Sequence, residues 1–227
     1  MKLYSFDTCP YCIRVKIMAG LKGISLDVIT LSPGTIPSEL KSHIASLTVP
    51  ILKDEDLVLQ DSSDIIHYLD QKGPPLLQNY EMSEELEAWQ REVNVALNSL
   101  CYPRIPHLLP GELSSIGARG FFNTTMPKRI GRSFEDALAL SDQFAAQIKA
   151  RLAKVEHILT SDTLSLDSII LLADLQSLSM VAEFTLPSDL RARFDVLMKK
   201  AAILPFTKID RHGKVQCPTE ARQGEPA

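Results

Sequence analysis

Cys9 and Cys12, set in the run Cys9-Pro10-Tyr11-Cys12, are the residues of this 227-residue chain best placed to do covalent chemistry. The apolar run Leu3-Tyr4-Ser5-Phe6 precedes them and an apolar-periodic stretch ending near Leu21 follows, so the order reads strand, Cys-x-x-Cys, helix. At a helix start the first cysteine meets the unpaired backbone N–H groups of the first turn, which favour negative charge. Such a site lowers a thiol pKa from about 8.5 to somewhere between about 3.5 and 7.5. Cys9 is therefore the expected nucleophile near neutral pH. Cys12 lies one turn further in, close enough to close a disulfide with Cys9 and better shielded, which suits a resolving thiol.

Composition narrows the setting. With 45% hydrophobic and 23% charged residues the chain can bury at least one sizeable core, and its length admits two domains. A net charge of −4 gives no case for a nucleic-acid partner. Met1-Lys2 leads directly into the first strand, and no apolar stretch approaches the roughly 18 residues of a membrane span. A cytoplasmic protein with no membrane partner is expected. Four cysteines are too few for a disulfide scaffold, and a reducing compartment argues against one, which leaves Cys9 and Cys12 as redox or metal residues. A structural zinc site needs a second ligand pair. Cys101 and Cys217 stand alone, and His43, His67, His107, His157 and His212 are scattered, so no metal is expected.

The elements that must position the cysteines follow from patterning. Ile13, Ile17 and Leu21 make an apolar stripe on a helix from Cys12 to about Leu21, and Lys22-Gly23 is a stop signal. Ile24-Ser25-Leu26-Asp27-Val28 alternates as a second strand, giving a βαβ unit with a right-handed crossover. Ser32-Pro33-Gly34 is a loop and Pro37-Ser38-Glu39-Leu40 opens a short helix. Thr48-Val49-Pro50 then leads into a hairpin, Ile51-Leu52 and Leu57-Val58-Leu59 about an Asp54-Glu55-Asp56 turn. A helix over 64–70 follows Gln60-Asp61-Ser62, with Asp61 or Ser62 as N-cap and His67 a packing or surface residue. Its first-turn amides form an anion site, although capping by itself explains both residues.

Gly73-Pro74-Pro75 ends this unit, and strand signals disappear beyond it. The division expected is residues 1–73, a linker 74–82, an all-helical domain 83–216 and a flexible tail 217–227. Ser83 caps a helix carrying Leu86, Trp89, Val93, Leu97 and Leu100, with Trp89 in the core. Apolar steps of four and three from Phe134 to Leu159 predict one long helix as a bundle spine. Ser165 starts a helix through about Glu183, and Pro187-Ser188-Asp189 starts another that ends before Pro205, among five to seven helices in all. Arg104 is expected to be solvated at a helix end, or else to face the active-site cleft. Cys101 reads as a small buried hydrophobe and Cys217 as part of the tail.

Cys9-Pro10-Tyr11-Cys12, Thr48-Val49-Pro50 and Gln60-Asp61-Ser62 on a βαβαββα pattern resemble a glutaredoxin domain of the thioredoxin superfamily. With the helical half, the chain is similar to the two-domain bacterial glutaredoxin 2 type, whose architecture is shared with glutathione transferases. The resemblance implies an α/β thioredoxin-like N-terminal domain, an all-α C-terminal bundle, and a glutathione-dependent thiol–disulfide oxidoreductase. It implies Cys9 as nucleophile, Cys12 as resolving thiol, glutathione as co-substrate and no bound cofactor. It implies a cis Val49–Pro50 peptide, with Val49 pairing through its backbone to the cysteinyl part of glutathione. The γ-glutamyl carboxylate would meet Ser62 and the helix-start amides, and its ammonium Asp61, where many relatives carry glutamate. Pro10 and Tyr11 would line the thiol pocket. Disulfide-bonded or glutathionylated proteins would be the partners of a monomer. Two other readings share the architecture: a glutathione transferase, and a non-catalytic glutathione-binding module with an unreactive Cys9.

Overall fold

The computed structural model describes residues 1–34 and 36–216; the expected tail, with Cys217, lies outside the described residues. Its first half is a sheet in the order β2-β1-β3-β4, built from β1 (Lys2–Ser5), β2 (Asp27–Thr30), β3 (Ile51–Asp54) and β4 (Leu57–Leu59). β1 runs parallel to β2 and antiparallel to β3. Alternation divides its side chains: Leu3 and Leu52 face the main core, while Tyr4 and Ile51 form a smaller cluster on the opposite face. The expected second strand begins three residues late. Gly23 sits at φ +66° and Ile24 donates to the Ala19 carbonyl, so the residues after α1 (Pro10–Leu21) are used to leave the helix before pairing Lys2 with Asp27. The short helix expected after Pro37 is one 3-10 turn, Ser38–Leu40.

α1 is buried far beyond its predicted stripe. Cys12, Ile13, Arg14, Val15, Ile17, Met18 and Ala19 are all inside, because α1 packs on α2 (Ser62–Asp70) along one side and on α8 (Leu166–Leu178) along another. Every residue of α8 is buried, including the polar Asp167, Ser168, Asp174, Gln176 and Ser177, because it runs through the centre of the molecule. Ile13, Val15, Ile17 and Met18 each contribute about 1.5–3 kcal/mol by burial, so the cysteine-bearing helix is anchored in the common core of both halves. Gly20 marks its closest approach to the second half: a Cβ there would lie 2.0 Å from the carbonyl oxygen of Ala201, which caps α9 (Ser188–Lys200). Only glycine fits.

The segment expected as a linker is pinned. Asp70, fully buried, pairs with Lys22 at 3.4 Å and accepts from the amides of Leu76 (2.8 Å) and Leu77 (3.0 Å) and from Tyr80 Oη (2.8 Å). Burial pushes this carboxyl up, but these hydrogen bonds outweigh it and hold the pKa below the usual carboxylate range.

The second half contains α3 (Glu84–Cys101), α4 (Ile116–Ile130), α5 (Phe134–Ala139), α6 (Ser141–Leu152), α7 (His157–Thr160), α8 and α9. Ser83 and Ser165 cap α3 and α8 as expected, and Trp89 is in the core. The single spine expected from Phe134 to Leu159 is instead three helices. Leu140 leaves helical geometry as the buried Ser141 hydroxyl donates to the Leu138 carbonyl, and the carbonyls of Arg151 and Leu152 accept bonds from residues three positions on. The apolar spacing continues across both breaks, which hides them. α8 ends at Leu178 rather than near Glu183, because Val181 and its neighbours pair with β5 (Lys208–Ile209), itself in a small hairpin with β6 (Val215–Gln216). α4 has no counterpart among the expected helices: only Ala118, Met126 and Ile130 are buried, so it carries no apolar stripe. No helix among the described residues is long and apolar enough to cross a membrane.

Candidate functional site

Three segments converge at one end of the sheet, and the register shows how. β1 runs toward that end and continues through residues 6–9 to α1. Tyr4 pairs with Ile51, so Pro50 at the start of β3 stands at the same edge. β4 returns antiparallel, Leu52 opposite Leu59, and delivers Gln60 and Asp61 there too. Gln60 joins two of these segments: its Nε2 donates to the carbonyls of Ser46 (2.9 Å) and Thr48 (3.0 Å) and to Thr48 Oγ1 (2.8 Å).

Cys9 is the N-cap of α1, half-buried, with Pro10 at the first helical position, where its missing N–H costs nothing. Cys12 is fully buried, and Phe6 N donates to its sulfur at 3.5 Å. The two thiols titrate in opposite directions. The Cys12 thiol, as hydrogen-bond donor, is the largest influence on Cys9; with the amides of Cys12 and Tyr11 and the charge of Arg14 it outweighs burial and lowers the Cys9 pKa to about 7. The helix-start amides expected to dominate are thus a secondary contribution. Cys12 is pushed far up, first by burial and then by its bond to Cys9.

Stability of the reduced protein should follow from these two signs. The depressed Cys9 pKa adds stability that is full above the ordinary thiol value and lost as pH falls through about 7. The raised Cys12 pKa adds stability that is full below the ordinary value and lost as pH rises past it. The combined contribution is greatest near pH ~8.5, the unperturbed thiol value. Urea midpoints of the wild type relative to a Cys9→Ser/Cys12→Ser double variant are expected to peak there; a flat difference across the titration range would contradict the coupled pair.

The Val49–Pro50 peptide is cis. Neither the N–H nor the C=O of Val49 makes a backbone hydrogen bond among the described residues, so both are available to an incoming strand. Asp61 is the N-cap of α2, its Oδ1 accepting from Ser63 N (2.7 Å) and Asp64 N (3.4 Å). Asp61 thus occupies two of the helix-start amides, while the Ser62 N–H has no acceptor among the described residues. Ser62 is buried and its hydroxyl makes no hydrogen bond among the described residues. Tyr11 is 51% exposed, with the Arg14 guanidinium 4.4 Å over its ring, so it is a surface residue beside the cysteines and not core. His67 is exposed and stacked on Tyr80.

Arg104 meets neither expectation. It is 0% exposed, donating to the carbonyls of Leu100 and Ile209, to Ser141 Oγ and to Glu183, within the helical half. Cys101 is buried and donates to the Ser177 carbonyl; burial pushes its thiol up to about 12, so it is inert. Tyr102, beside it, opens the Tyr102-Pro103 run that ends α3. Burial raises its phenol, with the Arg129 guanidinium opposing and the charge of Cys9 adding to the rise, so Tyr102 stands within electrostatic reach of Cys9 from the helical half.

The family model described as glutaredoxin 2, C terminal domain, matches residues 85–209. Glutaredoxin 2 of Escherichia coli K12 is 33% identical over 212 residues, covering 89% of this chain and 96% of its own. The chain belongs to the glutaredoxin 2 family. The glutathione S-transferase N-terminal domain model matches residues 3–76, in keeping with the architecture that this glutaredoxin shares with transferases. Glutaredoxin 2 from Salmonella typhimurium, solved in complex with glutathione, superposes with a TM-score of 0.79 at 30% identity, covering 90% of this chain and 95% of that one. Gtt2 from Saccharomyces cerevisiae, at 17% identity and a TM-score of 0.53 over 88% of this chain and 96% of its own, shares the fold alone. As a glutaredoxin of this family the protein is a glutathione-dependent thiol–disulfide oxidoreductase, with a thioredoxin-like N-terminal half and a helical C-terminal half.

Proposed function

We propose that Cys9 is the nucleophile of this glutaredoxin, that Cys12 is its resolving thiol, and that glutathione sits across Val49, Pro50, Asp61 and Ser62 beside Pro10 and Tyr11. The observation that carries this reading is the placement of the two thiols, Cys9 half-buried at the N-cap of α1 and Cys12 fully buried one turn on, with their titrations shifted in opposite directions. The Cys9 thiolate attacks the glutathione sulfur of a mixed disulfide, forms Cys9–S–S–glutathione and releases the protein thiolate. A second glutathione thiolate then attacks the bound glutathione's sulfur, releasing oxidised glutathione and the Cys9 thiolate. With a protein disulfide, Cys12 loses its proton and displaces the substrate from Cys9, and two glutathiones reduce the resulting Cys9–Cys12 disulfide.

Two features support the seat. The unpaired backbone of Val49 suits β-type pairing with the tripeptide, and the free Ser62 hydroxyl with the second oxygen of Asp61 suits a group bearing both carboxylate and ammonium. The same reading divides the chain into residues 1–73, 74–82 and 83–216, and has it act as a monomer in the cytoplasm on glutathionylated or disulfide-bonded proteins, with no bound cofactor. Ser62→Ala and Asp61→Asn test the seat, since asparagine still caps α2. Each is expected to raise KM for a glutathione mixed disulfide roughly tenfold or more, the value of one hydrogen bond to a charged group, with kcat little changed. Unchanged KM in both variants would rule the seat out.

A further inference from the structure

Residues 6–9 connect β1 to α1 and end on Cys9. β1 stops at Ser5, so the amides of Asp7 and Thr8 have no ladder partner and need another acceptor. They find it 105 and 104 residues away. Glu112 Oε2 accepts from Asp7 N at 2.9 Å, and its Oε1 accepts from Thr8 N at 3.0 Å and from Thr8 Oγ1 at 2.7 Å. The contact is returned: Asp7 Oδ2 accepts from Gly111 N at 2.8 Å, while its Oδ1 accepts from Thr30 Oγ1 at 2.9 Å. Glu112 and Gly111 belong to one 3-10 turn, Gly111–Leu113, of the helical half. Glu112 is only 3% exposed, and all of its side-chain hydrogen bonds among the described residues come from Asp7 and Thr8. A buried carboxylate is stable only when its acceptors are filled, so the turn and the carboxylate depend on each other. The fit is close on the other side too: a Cβ on Gly111 would stand 3.0 Å from both Asp7 Oδ2 and Thr30 Cγ2.

These bonds hold backbone immediately before the nucleophile. A staple joining two halves would work equally well between helix surfaces, whereas this one grips the two residues that set the entry of the chain into the Cys9 N-cap. We propose that Glu112 is a positioning residue for Cys9, a carboxylate supplied by the helical half that fixes the 7–8 backbone so that the Cys9 sulfur meets Cys12 and the incoming disulfide in line. The inference rests on Cys9 being the nucleophile. Exchange is sensitive to such alignment, since a shift of about 1 Å can lower a rate by about 10²-fold.

Glu112→Gln, Thr8→Val and their combination test this in the full chain. Glutamine keeps a carbonyl for Thr8 but turns an amide toward the Asp7 N–H, and valine removes only the Thr8 hydroxyl bond. The measurements are the pH profile of Cys9 alkylation followed by peptide mapping, kcat and KM with a glutathione mixed disulfide, and the urea midpoint. For Glu112→Gln the alkylation midpoint is expected to move up toward the ordinary thiol value and kcat to fall about tenfold, within the range that misalignment produces. KM should change less. Thr8→Val should shift both in the same direction by less, and the double variant should be no worse than Glu112→Gln, because the two changes act on one contact. Should Glu112→Gln fail to fold, Thr8→Val carries the test alone, with the same direction of shift and a smaller size. Folded variants with the wild-type alkylation profile and kcat would reduce Glu112 to a staple and overturn the proposal. A wild-type Cys9 with an ordinary thiol profile would overturn it together with the nucleophile assignment.

Discussion

Cys9→Ser is expected to bring glutathione-coupled reduction of a small mixed disulfide down to the uncatalysed rate, while Cys12→Ser keeps that activity and loses reduction of protein disulfides by about 10²-fold or more, the scale of losing an intramolecular partner. The reason is the asymmetry of the pair. A thiol with pKa about 7 is half ionised at neutral pH, whereas one near 8.5 is about 3% ionised, a gain of roughly 16-fold in thiolate. Lower basicity takes back about fivefold in nucleophilicity, so as an attacking group Cys9 gains only about threefold. The larger gain is as a leaving group, because a stable thiolate departs faster when glutathione attacks the Cys9 mixed disulfide. Cys12 acts on this directly. Its thiol is the main hydrogen-bond donor to Cys9, so Cys12→Ala should raise the pH midpoint of Cys9 alkylation, while Cys12→Ser, which keeps a hydroxyl donor, should hold it nearer the wild-type value. Retention of more than about a tenth of the rate in Cys9→Ser would refute the nucleophile assignment, given how completely covalent catalysis depends on the nucleophile. Faster conjugation of an aromatic electrophile than of mixed disulfide exchange in the wild type would point to transferase chemistry instead.

Arg104→Ala should cost the fold about 3–5 kcal/mol, the usual penalty for deleting one partner of a buried ion pair. The guanidinium is fully buried and satisfies four groups from four places in the helical half: the Leu100 carbonyl at 2.7 Å, the Ile209 carbonyl at 2.9 Å, Ser141 Oγ at 3.0 Å and Glu183 Oε2 at 2.7 Å. It thereby ties the end of α3 to the break between α5 and α6 and to the β5–β6 hairpin. Removing it strands the Leu100 carbonyl and strips one donor each from Ser141 and from the Ile209 carbonyl, which keeps the Ala182 amide, while Glu183 keeps only Arg211 among the described residues. Arg104→Lys should rescue little, because a single ammonium cannot reproduce the planar fork that reaches Ile209, Leu100 and Glu183 together. Urea denaturation measures the loss. The pH profile of Cys9 alkylation in the folded fraction should be unchanged, which separates a structural arginine from one acting in the cleft. A shifted alkylation profile with an unmoved urea midpoint would reverse this assignment.

Local chemistry made the centre of the site legible. Cys9 and Cys12 are three residues apart on one helix start, so their difference in shielding is written in the spacing itself, whereas Pro50, Asp61 and Ser62 read locally as a strand start and a helix cap and are joined to the cysteines only by the family resemblance. Patterning likewise located α3, α8 and α9 by their caps and apolar runs. What failed did so where distant partners decide. The spine from Phe134 to Leu159 kept its apolar spacing through two breaks, because periodicity records which face is buried and says nothing of whether the backbone bonds continue. Arg104 looked like a solvated helix end because its four acceptors come from segments that only the folded chain assembles.

The sequence by itself determined a Cys-x-x-Cys motif at a helix start, a short-range consequence of residue type and spacing, and motifs around it that resemble the glutaredoxin family. Only the tertiary structure decided how that motif is held. α1 lies inside the joint core of both halves, with Gly20 admitting Ala201, and the carboxylate of Glu112 comes from more than a hundred residues away to accept the amides of Asp7 and Thr8. Contacts of that separation leave no periodicity in the chain, because each residue's type is set by a partner whose position the local sequence does not encode.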